Sequence, residues 1–227
     1  MGPLLVIAAV AALIGGAGFW STTLGRKRAA EMRAVARRLE WPMESHPPLT
    51  ILPDPSRFEL FTAGWQQRIR NYAAGTRDGR RVAVFDYAYG AARGRTWRQT
   101  VVHVHADALA LPAFALRPEL AHHKVGALFG YQDIDLEADE RFSDRYLLRG
   151  LDEAAIRGRF IPAVRARYDR DPRLCTEGCG ADLFVWRASH LARPADVPAL
   201  IDDALALAAA FEHGAPPSDA ADSADGR

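Results

Sequence analysis

The stretch that decides the fold runs from Trp65 to Asp107 and reads WQQRIRNYAAGTRDGRRVAVFDYAYGAARGRTWRQTVVHVHAD. Residues 81–89 alternate between two sets of side chains, as a strand with two different faces does. The pair Asp78-Gly79 before them is typical of a tight hairpin turn. A loop rich in glycine and arginine then separates residues 81–89 from another alternating run at 96–107. The stretch therefore predicts consecutive antiparallel strands joined by hairpins.

The rest of the chain adds strands and helices in separate runs. Further strands are predicted at 113–117, at 145–149 and in two pieces within 174–187. Apolar residues recur at helical spacing over 151–168, with a division at Pro162, and over 196–212. Because the hairpin-linked strands come before the longer helices, the sequence predicts an α+β fold. We expect one domain over 58–212, with an antiparallel sheet and helices packed on one face, and a disordered tail over 213–227.

The N-terminal region has the properties of a membrane anchor. No charged residue occurs from Gly2 to Gly25, and this length suffices to cross a hydrocarbon core of about 30 Å as a helix. A cleaved signal peptide is the alternative, but it would need positive charge ahead of the apolar run. We therefore predict a transmembrane helix over 1–25, with Trp20 at the membrane interface.

A basic cluster follows the apolar run at once and consists of Arg26, Lys27 and Arg28. Positive charge collects on the cytoplasmic side of membrane proteins. The sequence thus predicts a single-pass protein of the cell (inner) membrane, with its N-terminus outside and its C-terminal domain in the cytoplasm. We place Arg26, Lys27 and Arg28 at the membrane interface, with the lipid bilayer as the first partner.

Residues 26–41 are predicted to be a basic juxtamembrane helix. Its apolar stripe (Met32, Val35, Ala36 and Leu39) could face lipid headgroups or pack on the domain, and the narrowness of the stripe favours packing. Trp41-Pro42 should end the helix, because the residue before proline avoids helical backbone angles. The five prolines in 42–57 then predict an extended, stiff linker that holds the body away from the membrane.

Composition excludes some classes of function. The 227 residues carry a net charge of +1, so the chain as a whole does not attract nucleic acid, and we expect no nucleic-acid partner. Arginines alternate with aromatic residues between 68 and 98, which could bind anions, but we expect them to cover the aromatic side chains of the sheet. Cys175 and Cys179 lie in a segment that contains Gly178 and Gly180 and are interpreted as part of a turn, without an assigned role.

The most suggestive chemical motif is His103, His105 and Asp107. In a strand these three side chains share one face, and two imidazoles at this spacing can bind zinc together with a carboxylate. The motif resembles the metal-ligand signature of metallo-β-lactamase-like hydrolases, although that signature continues with a histidine where this chain has Ala108. The structural alternative places Val102 and Val104 in the core and the histidines toward water or a neighbouring strand.

Three further segments carry a second resemblance: Val84-Phe85-Asp86-Tyr87-Ala88-Tyr89, Leu111-Pro112-Ala113-Phe114-Ala115-Leu116-Arg117-Pro118-Glu119 and Phe142-Ser143-Asp144-Arg145-Tyr146-Leu147. With these motifs the chain resembles an uncharacterised family of bacterial single-pass membrane-anchored proteins over about residues 58–190. The resemblance implies an N-terminal anchor and no particular activity.

The sequence lacks a complete catalytic set. We therefore expect a membrane-tethered cytoplasmic domain that binds a protein partner and needs no cofactor, rather than an enzyme. The alternative is a small metal-dependent hydrolase that holds zinc with His103, His105 and Asp107.

Overall fold

The computed structural model describes residues 24–91, 94–119, 133–136 and 139–214. The predicted anchor lies outside these residues apart from Leu24 and Gly25, and so does the predicted tail from residue 215 onward. The described strands form one sheet of eight, and every pair is antiparallel. The strands are β1 (Met43–Glu44), β2 (Trp65–Arg77), β3 (Arg80–Ala91), β4 (Arg95–His105), β5 (Leu111–Pro118), β6 (Tyr146–Gly150), β7 (Leu174–Gly180) and β8 (Asp182–Arg187).

The order of strands across the sheet is β1-β2-β3-β4-β8-β7-β5-β6. The predicted hairpins are confirmed: β2 and β3 pair around the Asp78-Gly79 turn, and β4 pairs with β3 along its whole length. The partner of β4 on its other side is β8, although about 75 residues separate them in sequence. The prediction of an α+β fold with an antiparallel sheet is therefore confirmed.

The longer helices cover one face of the sheet. The helices are α1 (24–38), α2 (Glu59–Thr62), α3 (Glu140–Ser143), α4 (Glu153–Arg159), α5 (Pro162–Arg170) and α6 (Val197–His213). A large apolar core joins α1, α4, α5 and α6 to the inward side chains of the strands, such as Val84, Val102 and Leu116. Leu200, Ile201, Ala204 and Ala208 of α6 belong to this core, as their helical spacing predicts.

The other face of the sheet is also covered, although the sequence pattern predicts helices on one face alone. Residues 49–63 cross it, and α2 with its neighbours places Leu52, Phe58 and Phe61 in a second apolar cluster. This cluster contains the opposite side chains of the strands, among them Phe85 and Phe184. Because both faces are buried, residues 82–87 of β3 are all inaccessible to solvent although their side chains alternate in direction.

The segment 42–57, predicted as a stiff linker, is part of this folded body. Met43 and Glu44 pair with Ala73 and Tyr72 as β1, and Leu52 is buried in the second cluster. The prolines interrupt regular strand pairing but do not prevent the apolar residues between them from packing. The prediction that this segment holds the body away from the membrane is thus corrected.

Helix α1 is joined to the body by apolar packing and by an ion pair. Met32, Val35 and Ala36 lie in the main core, so the apolar stripe packs on the domain. At the N-terminal end, Arg28 donates from Nε and Nη2 to the two carboxylate oxygens of Asp86, each at 2.7 Å. Arg28 Nη1 also donates to the carbonyl oxygen of Ala192, at 2.9 Å.

The carboxylate of Asp86 has two further partners, Asn71 Nδ2 at 2.8 Å and Thr100 Oγ1 at 3.0 Å. Four donors thus satisfy a carboxylate that lies almost entirely inside the protein. At the other end of α1, the indole of Trp41 occupies the space over Gly75, where a Cβ would lie 2.2 Å from Trp41 Cδ1. The helix is therefore held to the sheet at both ends.

None of the helices in the described part of the chain combines the length and the apolar character needed to span a bilayer.

Replacing Arg28 with alanine should destabilise the body strongly, because Asp86 would remain buried without its cationic partner. Loss of one partner from a largely buried pair costs roughly 3–5 kcal/mol. The measurement is urea unfolding of residues 24–214, followed by tryptophan fluorescence. Arg26→Ala is the matched control, since Arg26 is exposed and should change the free energy of unfolding little. Equal effects of the two substitutions would contradict the described role of Arg28.

Candidate functional site

The pairing of β4 with β8 brings two histidines and an aspartate together. His105 lies opposite Asp182, and two residues away on each strand His103 lies opposite Phe184. His103 Nε2 is 2.8 Å and His105 Nδ1 is 2.7 Å from the same oxygen, Asp182 Oδ1. The ring of His103 stacks on Phe184, with the ring centroids 4.4 Å apart. One ligand atom from each of the three polar residues lies within 4.8 Å of the other two, a spacing that suits a metal ion.

The structure replaces one member of the triad expected from the sequence. Asp107 is fully exposed, and its Oδ1 lies 3.7 Å from His105 Nε2. The reason is local: β4 ends at His105, and Asp107 begins a 3₁₀ turn that leaves the strand face. The two histidines do share a face, as predicted, but Asp182 provides the buried carboxylate. One feature of the sequence could have indicated Asp182: it is an isolated aspartate two residues after Gly180, the glycine of the β7–β8 turn.

Burial and hydrogen bonding together determine the charge of this site. Burial lowers the pKa of His103, against the opposing influence of Asp182. Burial acts to raise the pKa of Asp182, but the hydrogen bonds from His103 and His105 outweigh it and hold that pKa below its usual range. An ionised carboxylate that accepts an N–H from each of two imidazoles fits these directions. A divalent cation bound by His103 Nε2, His105 Nδ1 and Asp182 Oδ1 would replace the two N–H protons, because these three atoms lie close together.

The two cysteines lie on β7 and do not form a joint site. Residues four apart on one strand are about 13 Å apart, too far to bind one ion. The Cys175 thiol is buried, which raises its pKa to about 11. Cys179 accepts a hydrogen bond from Arg57 Nη2 at 2.6 Å, so it helps to fix residues 49–63 on the sheet. The turn predicted around the cysteines lies after them, at Gly180-Ala181.

A second buried polar cluster has a structural role. Glu177 is 1% exposed and accepts the backbone N–H of Leu60 at 3.0 Å, at the beginning of α2. It also pairs with Arg117, whose guanidinium lies 4.8 Å from the ring centroid of Trp186. Burial raises the pKa of Glu177 in spite of the neighbouring Arg117. This cluster holds α2 against the sheet and thereby closes the face that contains His103.

An arginine-rich cleft lies on the helical side of the molecule. It encloses about 390 Å³ and is lined mainly by residues of α5, of α6 and of the ends of β7 and β8. Four arginines face two aspartates there: Arg167, Arg170, Arg173 and Arg187 against Asp171 and Asp203. Asp171 pairs with Arg187, whereas Arg167 and Arg170 form no ion pair within the described part of the chain. The cleft therefore has positive charge available for an acidic ligand.

The four residues predicted to lie at the membrane interface differ in their exposure to solvent and in their contacts. Trp20 lies outside the described residues. Arg26 and Lys27 are exposed at the beginning of α1, and Lys27 lies 4.0 Å from Glu31. Arg28 points into the protein toward Asp86. The basic cluster thus divides into two side chains that face solvent and one that fixes the helix to the sheet.

With the fold and these sites established, the chain belongs to the class of α+β proteins with one antiparallel sheet covered on both faces. No protein-family model and no curated protein matches the sequence. The fold is similar to the crystal structure of the mycobacterial trehalose monomycolate transport factor A, TtfA, with a TM-score of 0.56. The alignment covers 83% of this chain and 94% of that chain, at 13% sequence identity. At this identity the similarity concerns the fold.

The low pKa of His103 makes stability depend on pH. Unfolded histidine titrates near pH 6.5, so between that value and the lower folded pKa the unfolded chain binds more protons. The free energy of unfolding should therefore fall as the pH is lowered from about 6.5. Urea unfolding at a series of pH values measures this slope. His103→Asn should reduce this slope and leave the contribution of His190, whose pKa burial also lowers, and Asp107→Asn should retain the full slope. An unchanged slope in His103→Asn would contradict the assignment.

Proposed function

We propose that this protein is a membrane-tethered interaction domain, with residues 1–25 in the cell membrane and the body in the cytoplasm. The observation that carries the proposal is the ion pair between Arg28 and Asp86. This ion pair fixes α1 to the sheet, and α1 directly follows the charge-free run. Such a rigid connection would set both the distance and the orientation of the body relative to the membrane.

The fold similarity supports the same proposal. The structure that resembles this chain is a transport factor. We infer a transport-related role in which the domain binds a partner protein at the membrane. The arginine-rich cleft is the surface we assign to that partner, because Arg167 and Arg170 leave positive charge available to an acidic segment.

Cell fractionation tests the tether. The full chain should remain in the membrane pellet after alkaline extraction, because a membrane-spanning helix does not depend on electrostatic attachment. A chain that begins at residue 24 should be released. A reporter fused after Arg227 should be active in the cytoplasm. Release of the full chain, or an exported reporter, would contradict the proposal.

Site-specific photocrosslinking in the same membranes tests the partner surface. A photoreactive residue at Pro172, which is exposed in the cleft and carries no charge, should give a discrete adduct. The same residue at Ala154, exposed on α4, is the control and should give none. Arg167→Glu should abolish the adduct, because it removes the net positive charge of the cleft. An adduct that persists unchanged would show that the cleft is not the binding surface.

The second candidate is a metal-dependent function, favoured by the convergence of His103, His105 and Asp182. Zinc is the proposed ion, since two imidazoles and a carboxylate are ligands that it accepts. In a hydrolase one coordination position must remain open to water and substrate. Of the three side chains His105 is the most accessible, so a substrate would approach from its side.

Metal analysis separates the two functions. If the domain is a zinc protein, residues 24–214 should contain one zinc per chain after purification without chelators. His105→Ala and Asp182→Ala should lose it, and the control Asp107→Ala should retain it. A folded domain that remains free of metal when zinc is supplied would exclude this candidate. Stoichiometric zinc that supports hydrolysis would instead exclude a purely interacting domain.

A further inference from the structure

The direction of α1 identifies the end of the molecule that lies next to the apolar N-terminal run. Arg28 is positioned over the paired residues Asp86 and Thr100. Trp41, beyond the other end of the helix, lies over Gly75, which pairs with Val82. The helix therefore runs along β3 from residue 86 toward residue 82. Its N-terminus points to the opposite end of the strand, where β3 and β4 are joined.

This end of the sheet exposes large apolar side chains. Only three such side chains are exposed among the described residues, and two of them are here: Leu24 at 56% and Trp65 at 51%. Trp65 pairs with Gly90 near the end of β3, and its indole occupies the space where a Cβ on Gly90 would lie 2.6 Å from Nε1. The absence of a side chain at Gly90 thus allows the indole to lie flat across the end of the sheet.

A shallow groove continues this surface. It encloses about 610 Å³ and is lined by Arg95, Thr96, Trp97, Arg98, Ser189 and Leu191. Trp97 is half-buried against the second apolar cluster, on the face of the sheet opposite to α1, and part of its indole remains accessible at the end of the hairpin. Tryptophan side chains favour the boundary between hydrocarbon and water because they are apolar with one hydrogen-bond donor.

The same end of the molecule is positively charged. The sequence contains no aspartate or glutamate in 24–30, 64–70 or 87–99, the segments that meet there. Their exposed cationic residues are Arg26, Lys27, Arg68, Arg70, Arg95 and Arg98. Guanidinium and ammonium groups near a surface that contains anionic lipid are attracted to it. The exposed indole of Trp65 and the half-buried indole of Trp97, among exposed cations, therefore fit a phospholipid headgroup region.

We propose that Leu24, Trp65, Arg95, Trp97 and Arg98 form a hairpin-end surface that lies against the anionic headgroups of the bilayer. The inference rests on the proposed membrane tether. The apolar run ends at Leu24 and the body is fixed from Arg28 onward, and four helical residues span only about 6 Å. The hairpin end therefore lies within the headgroup region once the run has inserted. The binding partner of the hairpin-end surface is thus the same bilayer in which the N-terminal run is inserted.

The experiment uses the full chain, reconstituted in lipid nanodiscs and labelled with an environment-sensitive fluorophore. Thr96→Cys places the label on the hairpin-end surface without removing a charge, and Asp78→Cys places it in the β2–β3 turn at the other end of the sheet. Cys175 and Cys179 are buried, and the unsubstituted chain gives the labelling background. Emission at position 96 should shift to shorter wavelength, and spin-labelled lipid should quench it several-fold more than emission at position 78.

The composition of the bilayer and the charge of the surface provide the controls. The shift at position 96 should be larger with anionic phospholipid than with zwitterionic lipid alone. It should decrease when Arg95→Glu and Arg98→Glu are added to the Thr96→Cys chain. If the chain stays in the nanodisc but positions 96 and 78 give the same emission, the hairpin-end surface is wrong and the tether stands. If the chain does not stay in the nanodisc, the tether and the surface are both wrong.

Discussion

The ion pair between Arg28 and Asp86 is the constraint that fixes the position of the N-terminal helix, α1, on the sheet. A carboxylate buried in a sheet is unfavourable unless donors surround it, and Asp86 accepts hydrogen bonds from Asn71, Thr100 and the Nε and Nη2 atoms of Arg28. Arg28 comes from the helix that follows the apolar run, 58 residues before Asp86 in sequence. The energetic requirement of one buried aspartate therefore makes the N-terminal helix an integral part of the body.

The coverage of both sheet faces determines where ligands can bind. The helices occupy one face, and residues 49–63 occupy the other, held there by Glu177 and Arg57. Broad contact through the sheet faces is thus unavailable to a partner. Two surfaces that remain open among the described residues are the arginine-rich cleft and the hairpin end, and both are positively charged although the net charge of the chain is only +1. The local charge of a surface therefore says more about its possible ligands than the net charge of the chain does.

Local features of the sequence could be predicted, and features that depend on distant pairing could not. Alternation and the Asp78-Gly79 turn predicted the β2–β3–β4 hairpins, and strand geometry placed His103 and His105 on one face. Asp182 was missed because it joins them only through the pairing of β4 with β8, 77 residues from His105. Asp107 was chosen in its place because alternation does not show that the strand ends at His105.

The N-terminal segments show the same limit. The stripe of Met32, Val35 and Ala36 correctly indicated a packing face on α1, but charge alone did not distinguish Arg28 from Arg26. The difference arises from the helical phase, which turns Arg28 toward the sheet and leaves Arg26 in solvent. The prolines of 42–57 indicated an extended path but not the apolar cluster on which that path lies.

If residues 1–25 insert into the membrane as proposed, α1 and the body should move there as one unit. Electron–electron distance measurement between spin labels at Lys27→Cys and Asp78→Cys tests this claim most directly, with the full chain in lipid nanodiscs. Both positions are exposed, and they lie toward opposite ends of the sheet. A single narrow distance distribution is expected, and it should broaden when Arg28→Ala is added. A broad distribution in the chain with Arg28 intact would contradict it.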